Sequence, residues 1–311
     1  MAQRNWIIAA AVAALLSACA DREVILQGER QELRGEAPQV ELPSEVRPIR
    51  LAAQTSNASW THRSGTQKFR TAHPALATAP NLVWSANIGD GEGRRQRIST
   101  DPVVADGRIF TIDSAATLVA TSTSGARLWS RDMTPAGDSS TDASGGGLAI
   151  GEGKLFVTNG FGRLLAIDPA TGEVLWEQRL GATGSGAPTV FGGLVYVVSG
   201  DDLAWAVDTD TGRVEWQLSS TPDVNNLQVP SAPAVTDKFV IFGFGSGEVQ
   251  AAFRKGGLRF WDAGVQGVRI GRALSTVGDI SGDPVVVGKT IYVGNHSGRL
   301  VALDADTGAR K

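Results

Sequence analysis

The chain of 311 residues has one cysteine, Cys19, so no disulfide can form within it and no disulfide framework holds the fold. Its three histidines, His62, His73 and His296, lie far apart and share no ligand spacing with cysteine or acidic residues, so no zinc site is suggested. No serine or cysteine stands in a recognisable nucleophile elbow. The net charge is −3, which gives no basic balance for nucleic acid or for a polybasic membrane surface. Glycine strings at 181–186 and 243–248 open no helix, so neither supplies the dipole and free N–H groups of a dinucleotide loop. The stretch Asp-Thr-Asp-Thr-Gly at 208–212 mimics half a calcium loop but lacks the later bidentate glutamate. Arg94, Arg95 and Arg97 form one local basic cluster, which reads as a solvated loop.

What the chain does have is a repeat. Trp84, Trp129, Trp176, Trp216 and Trp261 recur at intervals of 40 to 47 residues. Segments 166–176 (AIDPATGEVLW) and 206–216 (AVDTDTGRVEW) align on their tryptophans, and 302–311 (ALDADTGARK) keeps the same start. Asp168, Asp208 and Asp304 can accept backbone N–H bonds across the turn that follows. Gly172, Gly212 and Gly308 then supply a residue free to take positive φ. Segment 251–261 (AAFRKGGLRFW) keeps the length and the Gly-Gly but loses the Asp and Thr. Upstream of each unit is an apolar run, a turn signal such as Asp106-Gly107 or Gly192-Gly193, and a β-branched or aromatic run. Each unit therefore holds about four short strands, with its tryptophan on the last, placed to dock on the next unit.

A four-stranded unit at this period predicts an all-β fold, a β-propeller of four-stranded antiparallel blades. Four full blades run from about 98 to 262, and three strands of a fifth follow. Leu82-Val83-Trp84 reads as an outermost strand whose inner partners are missing. On this reading about three blades' worth of sequence is absent. Helix is expected only within residues 5–18.

The N-terminus differs from the repeats. Arg4 and the apolar stretch from Trp6 to Leu16 form a signal segment, shorter than the roughly 20 apolar residues of a membrane span. The expected organisation is a signal peptide at 1–18, a lipidated N-terminus and extended tether at 19–55, and the propeller at 56–311. The tether is rich in Arg, Glu, Gln and Pro.

The A-x-D-x-x-T-G-x-x-x-W pattern resembles the quinoprotein-like (PQQ-like) propeller repeat. Leu16-Ser17-Ala18-Cys19 resembles a bacterial lipobox, which implies lipid on Cys19; Ala20 after it points towards the outer membrane. One rival reading is a periplasmic quinoprotein dehydrogenase. Those enzymes carry a calcium-bound quinone at the ring centre, and here there is neither a Cys-Cys pair nor a clear Glu/Asn/Asp set for the metal.

The lipobox, the short tether, the segment from Trp60 to His73 and the repeats, in this order, resemble the lipoprotein scaffold family of the outer-membrane β-barrel assembly (BAM) machinery. The resemblance implies an eight-bladed ring, no cofactor and no reaction catalysed. It implies anchorage on the periplasmic face of the outer membrane, docking on the POTRA domains of BamA beside other BAM components, and help to unfolded outer-membrane protein clients. It places the partner surface in neighbouring inter-blade loops, 225–231 and 278–283. There Leu227 matches an apolar contact and Asp279 an acidic one, Gln228 stands where some members have Arg, and Ser281 replaces a second acid. Leu227 packing within its own loop, and Asp279 serving as a turn residue, are the alternatives.

Overall fold

The structure is a computed structural model, and it describes residues 48–94, 96–142, 145–183, 185–221, 230–265 and 277–311. Cys19, Leu227 and Gln228, the signal segment and most of the tether lie outside the described residues.

The described residues are all-β. The first blade is formed by β1 (Val103–Ala105), β2 (Arg108–Ile112), β3 (Thr117–Ser122) and β4 (Arg127–Asp132). The second is β5 (Gly146–Gly151), β6 (Lys154–Asn159), β7 (Arg163–Ile167) and β8 (Val174–Arg179). The third is β9 (Thr189–Phe191), β10 (Leu194–Val198), β11 (Leu203–Asp208) and β12 (Val214–Ser219). The fourth is β13 (Ala234–Val235), β14 (Phe239–Gly243), β15 (Glu248–Phe253) and β16 (Arg259–Gly264). The fifth has three strands, β17 (Val285–Val287), β18 (Thr290–Gly294) and β19 (Leu300–Asp304). Every sheet is an antiparallel meander in sequence order.

The repeat residues explain the blade. On each last strand the tryptophan lies opposite an alanine of the strand before it: Ala120↔Trp129, Ala166↔Trp176, Ala206↔Trp216 and Ala251↔Trp261. The small partner leaves room for the indole to lean on Phe110, Phe156 or Tyr196, with ring centroids 5.8–5.9 Å apart. A bulge follows at the same place in all four blades, so one extra residue turns outward there: Leu128, Leu175, Glu215 or Phe260.

The same tryptophans join the blades. Gly172 has φ +76° and lies under the Trp129 ring so closely that a Cβ would sit 2.8 Å from it. Gly212 meets Trp176, Gly257 meets Trp216 and Gly308 meets Trp261 in the same way. Each indole Nε1 then donates to a carbonyl of the same turn, on Pro169, Thr209, Arg254 and Ala305. Glycine is required here twice over, for its φ and for the ring that lies on it. Asp168, Asp208 and Asp304 each accept N–H bonds from the second and third residues after them, as their place in the pattern predicts.

The expectation for Leu82-Val83-Trp84 needs correction. These residues belong to no strand among those described. Trp84 nevertheless takes the seat of a preceding blade: its ring lies over Gly125, and its Nε1 donates to the Thr123 carbonyl at 3.0 Å. With no inner strands to pair with, the segment keeps the tryptophan contact and loses the ladder.

Candidate functional site

The inner strands face one another across the propeller axis. In an antiparallel meander the innermost strand has a partner on one side only. Alternate N–H groups of β1, β5, β9, β13 and β17 therefore point to the axis and need an acceptor.

One segment supplies an acceptor to each of the five strands. Trp60 and Val104 exchange both backbone hydrogen bonds at 2.7 Å. The Ile150 N–H donates to the Thr61 carbonyl at 2.8 Å, and the Val190 N–H donates to His62 Nε2 at 3.0 Å. The Val235 N–H donates to the Gln67 carbonyl at 2.8 Å, and the Val286 N–H donates to the Lys68 carbonyl at 3.1 Å. Val104, Ile150, Val190, Val235 and Val286 are equivalent positions, each opposite the residue that opens or nearly opens its neighbour strand. Residues 60–68 thus cap one donor in each of the five blades. The sequence offers one signal for this role, the single ring nitrogen of His62; the other acceptors are backbone and leave no trace in residue type.

His62 is buried, and burial pulls its pKa down from 6.5 to about 4, with the Val190 hydrogen bond opposing. It is therefore neutral. Its Nε2 accepts from Val190, so the proton is on Nδ1, 2.9 Å from Thr61 Oγ1.

Arg63 leaves the segment between the first and fifth blades. Its Nε donates to Asp101 at 2.7 Å, and its Nη1 lies 3.5 Å from Asp283. Asp101 and Asp283 each precede the proline that leads into an inner strand. Asp283 is largely buried and also accepts the Ala232 N–H at 2.8 Å. Burial raises its pKa, and Arg63 and that N–H offset the rise only in part. For Arg63, burial works downward, but the pull of Asp283 and Asp101 outweighs it and raises the pKa. The arrangement ties three parts of the chain together and holds no nucleophile.

The cavity beside Arg63 and Asp101 measures about 10 Å³, room for one water. Among the described residues, 60–68 lie along the inner strands, where resemblance to the dehydrogenases would place a quinone with its calcium. Among the described residues no three His, Cys, Asp or Glu side chains converge on a metal position. The half calcium loop is a turn: Asp208 Oδ1 takes N–H bonds from Asp210 and Thr211 and the Thr211 hydroxyl. The Thr211 bonds hold its pKa below the usual carboxylate range.

Of the two inter-blade loops, 225–229 lies outside the described residues, and its end at Ser231 is buried. The second loop is largely described. Asp279 is only 2 % exposed, and its carbonyl accepts the His296 N–H at 2.8 Å. Ile280, also buried, packs on Gly243 and donates its N–H to the Phe244 carbonyl. Ser281 is the exposed residue there. The loop is thus a strut between the fourth and fifth blades, and the Asp279 carboxylate is not presented as a surface charge. A turn built on Ile280 buries its neighbours, which spacing alone does not reveal.

Comparison with known proteins places this geometry. The family model described as outer membrane protein assembly factor BamB matches residues 114–311. A curated relative of that name from Shewanella oneidensis is 27 % identical over 237 residues, covering 74 % of this chain and 60 % of the relative. The chain thus spans about three-fifths of the relative's length. A quinohemoprotein alcohol dehydrogenase from Comamonas testosteroni is 35 % identical over 162 residues, but these are 45 % of this chain and 22 % of the enzyme. Among solved structures, BamB from Moraxella catarrhalis superposes with a TM-score of 0.58 at 19 % identity, over 70 % of this chain and 64 % of that one, which supports the propeller fold. The matched repeats make this chain a member of the family of the outer membrane protein assembly factor BamB.

Proposed function

We propose that this protein is a non-catalytic scaffold lipoprotein of outer-membrane β-barrel assembly. The observation that carries the reading is the family match over residues 114–311, taken with the bonds of residues 60–68 to the inner strands. With that segment bonded along the inner strands, this reading assigns function to the rims and outer strands. Those suit contact with other proteins better than turnover of a small substrate.

In this reading Cys19 carries lipid and holds the propeller at the periplasmic face of the outer membrane. One acyl chain binds marginally, so stable anchoring takes more than one. The propeller docks on the POTRA domains of BamA and works beside other BAM components on unfolded outer-membrane proteins. Leu227 is the apolar anchor of the docking loop and Gln228 its polar neighbour. Asp279, being buried, shapes the adjacent loop and is not assigned a contact.

The test is co-purification of the BamA POTRA region with the full chain and with Leu227→Ala and Leu227→Asp. A central anchor costs about 2 kcal/mol when cut to Ala, so Leu227→Ala weakens binding about thirtyfold and Leu227→Asp abolishes it. Unchanged binding by Leu227→Asp moves the interface elsewhere. Binding of pyrroloquinoline quinone with dye reduction by alcohols would favour the dehydrogenase reading, which the Comamonas testosteroni similarity keeps in view.

A further inference from the structure

The fourth blade departs from the repeat at one corner. Where the second, third and fifth blades have Asp168, Asp208 and Asp304, it has Phe253. The substitution does not leave a gap. Phe253 joins Phe239 and the outward bulge residue Phe260 in a ring cluster. Phe239 and Phe260 stack with centroids 4.8 Å apart and planes at 13°. Phe253 lies 5.2 Å from each. Phe239 is buried, but Phe260 is 44 % exposed and Leu258, in the turn beside it, is 70 % exposed.

Cations gather on this corner. Lys238 Nζ stands 4.9 Å from the centre of the Phe239 ring and 5.7 Å from those of Phe253 and Phe260. The Arg254 guanidinium lies 4.7 Å over Phe191 of the third blade and donates to the Asp237 carbonyl at 2.9 Å. Gly192 makes room for it, since a Cβ there would fall 2.5 Å from Arg254 Nη1. Lys255 is exposed in the same turn. Among the described residues none of Lys238, Arg254 and Lys255 has a carboxylate at ion-pair distance. The chain as a whole is acidic, so three cations against one exposed acid, Asp237, beside exposed aromatics are a local departure in charge as well as in pattern.

Charge complementarity selects the occupant. A ligand that covers Leu258 and Phe260 must bring an apolar side chain, and one that satisfies Lys238, Lys255 and Arg254 must bring anions within a few ångströms of it. An anionic lipid surface suits less well. It needs a broad polybasic face, whereas this corner has three cations on a molecule of net charge −3. We propose that this corner of the fourth blade is a docking site for a protein segment in which an aromatic or long aliphatic side chain is flanked by carboxylates. The turn between β15 and β16 and the turn between β13 and β14 both lie at the rim opposite the one from which the inter-blade connections leave. The site is therefore separate from the loops at 225–231 and 278–283 and stands or falls apart from the assembly reading.

The experiment uses the full chain in detergent and a fluorescein-labelled peptide with a Phe-Leu pair set between Asp and Glu residues. Its controls are the same peptide with Lys in place of the acids, and phosphatidylglycerol vesicles. The variants are Leu258→Ser and Lys238→Glu, both at exposed positions, singly and together, with urea midpoints measured to show that the fold survives. The acidic peptide is expected to bind, the Lys-flanked peptide at least about tenfold more weakly, and the double variant to lose about tenfold in affinity for the acidic peptide. Raising the salt should weaken the wild-type interaction and leave the residual binding of the double variant little changed. Failure of the acidic peptide to bind, equal binding by the folded double variant, or vesicle binding that depends on these residues while the peptide does not bind would each overturn the proposal.

Discussion

Protonation of His62 should weaken the fold in a defined pH window. Its pKa is about 4 in the folded chain against 6.5 when unfolded, because burial penalises the imidazolium by more than the Val190 hydrogen bond opposes. Between these values the unfolded chain takes up a proton that the folded chain refuses. The contribution is fully present above pH 6.5, falls as the pH drops towards 4, and is gone below it. A difference of 2.5 pH units at 1.36 kcal/mol each amounts to about 3 kcal/mol. Asp283 works in the opposite sense, since its raised pKa lets the folded state bind a proton first as the pH approaches the carboxylate range. The measurement must therefore be a difference. Urea unfolding, followed by tryptophan fluorescence from pH 7 to 4, is compared between the wild type and His62→Gln. The glutamine amide oxygen can still accept from Val190 but does not titrate. Wild-type stability should fall by about 3 kcal/mol more than that of the variant across the window. Parallel curves would refute the burial of a neutral His62, and with it the packing of residues 60–68 against the third blade.

Two further outcomes follow from the repeat and from the N-terminus. Gly212→Ala forces a Cβ to within 2.7 Å of the Trp176 ring at φ +70°, so it should cost about 2 kcal/mol or more. Gly153→Ala, at φ +73° with open space around it, should cost only about 1 kcal/mol, and equal urea midpoints for the two would show that the indole seat contributes nothing. Cys19→Ala should move the protein from the detergent phase to the aqueous phase in Triton X-114 partitioning, and unchanged partitioning would remove the lipid anchor.

How much of this was legible depended on whether a constraint repeats. The tryptophan and its glycine recur because each junction between blades poses the same steric problem, and the sequence solves it with the same pair. The aspartate turns were legible for the same reason. Trp84 reads as part of an outermost strand with its inner partners missing; without them it keeps its seat on Gly125 but joins no strand among those described. The resemblance makes Asp279 an acidic contact, with a turn residue as the alternative, and neither foresees its burial. Ile280 brings that about by anchoring the loop on Gly243. The aromatic corner at Phe253 was visible only as a broken motif. Its meaning comes from the three-dimensional meeting of Phe239, Phe253 and Phe260, which stand in three different strands.

Residues 60–68 change the folding problem of the whole array. A row of repeats that touch only their neighbours can fray from an end, one unit at a time. Here a short N-terminal hub is shared by five units, and the Lys68 contact with Val286 spans more than two hundred residues. The hub leaves the ribosome early, yet its last acceptor is not engaged until the fifth blade exists. Its closure is therefore a late, non-local event, of the kind that slows folding. Once formed, it makes the loss of any single blade a loss for the hub, and so couples units that otherwise never meet. A wheel held at its centre unfolds as one body where a chain of independent spokes would come apart in steps.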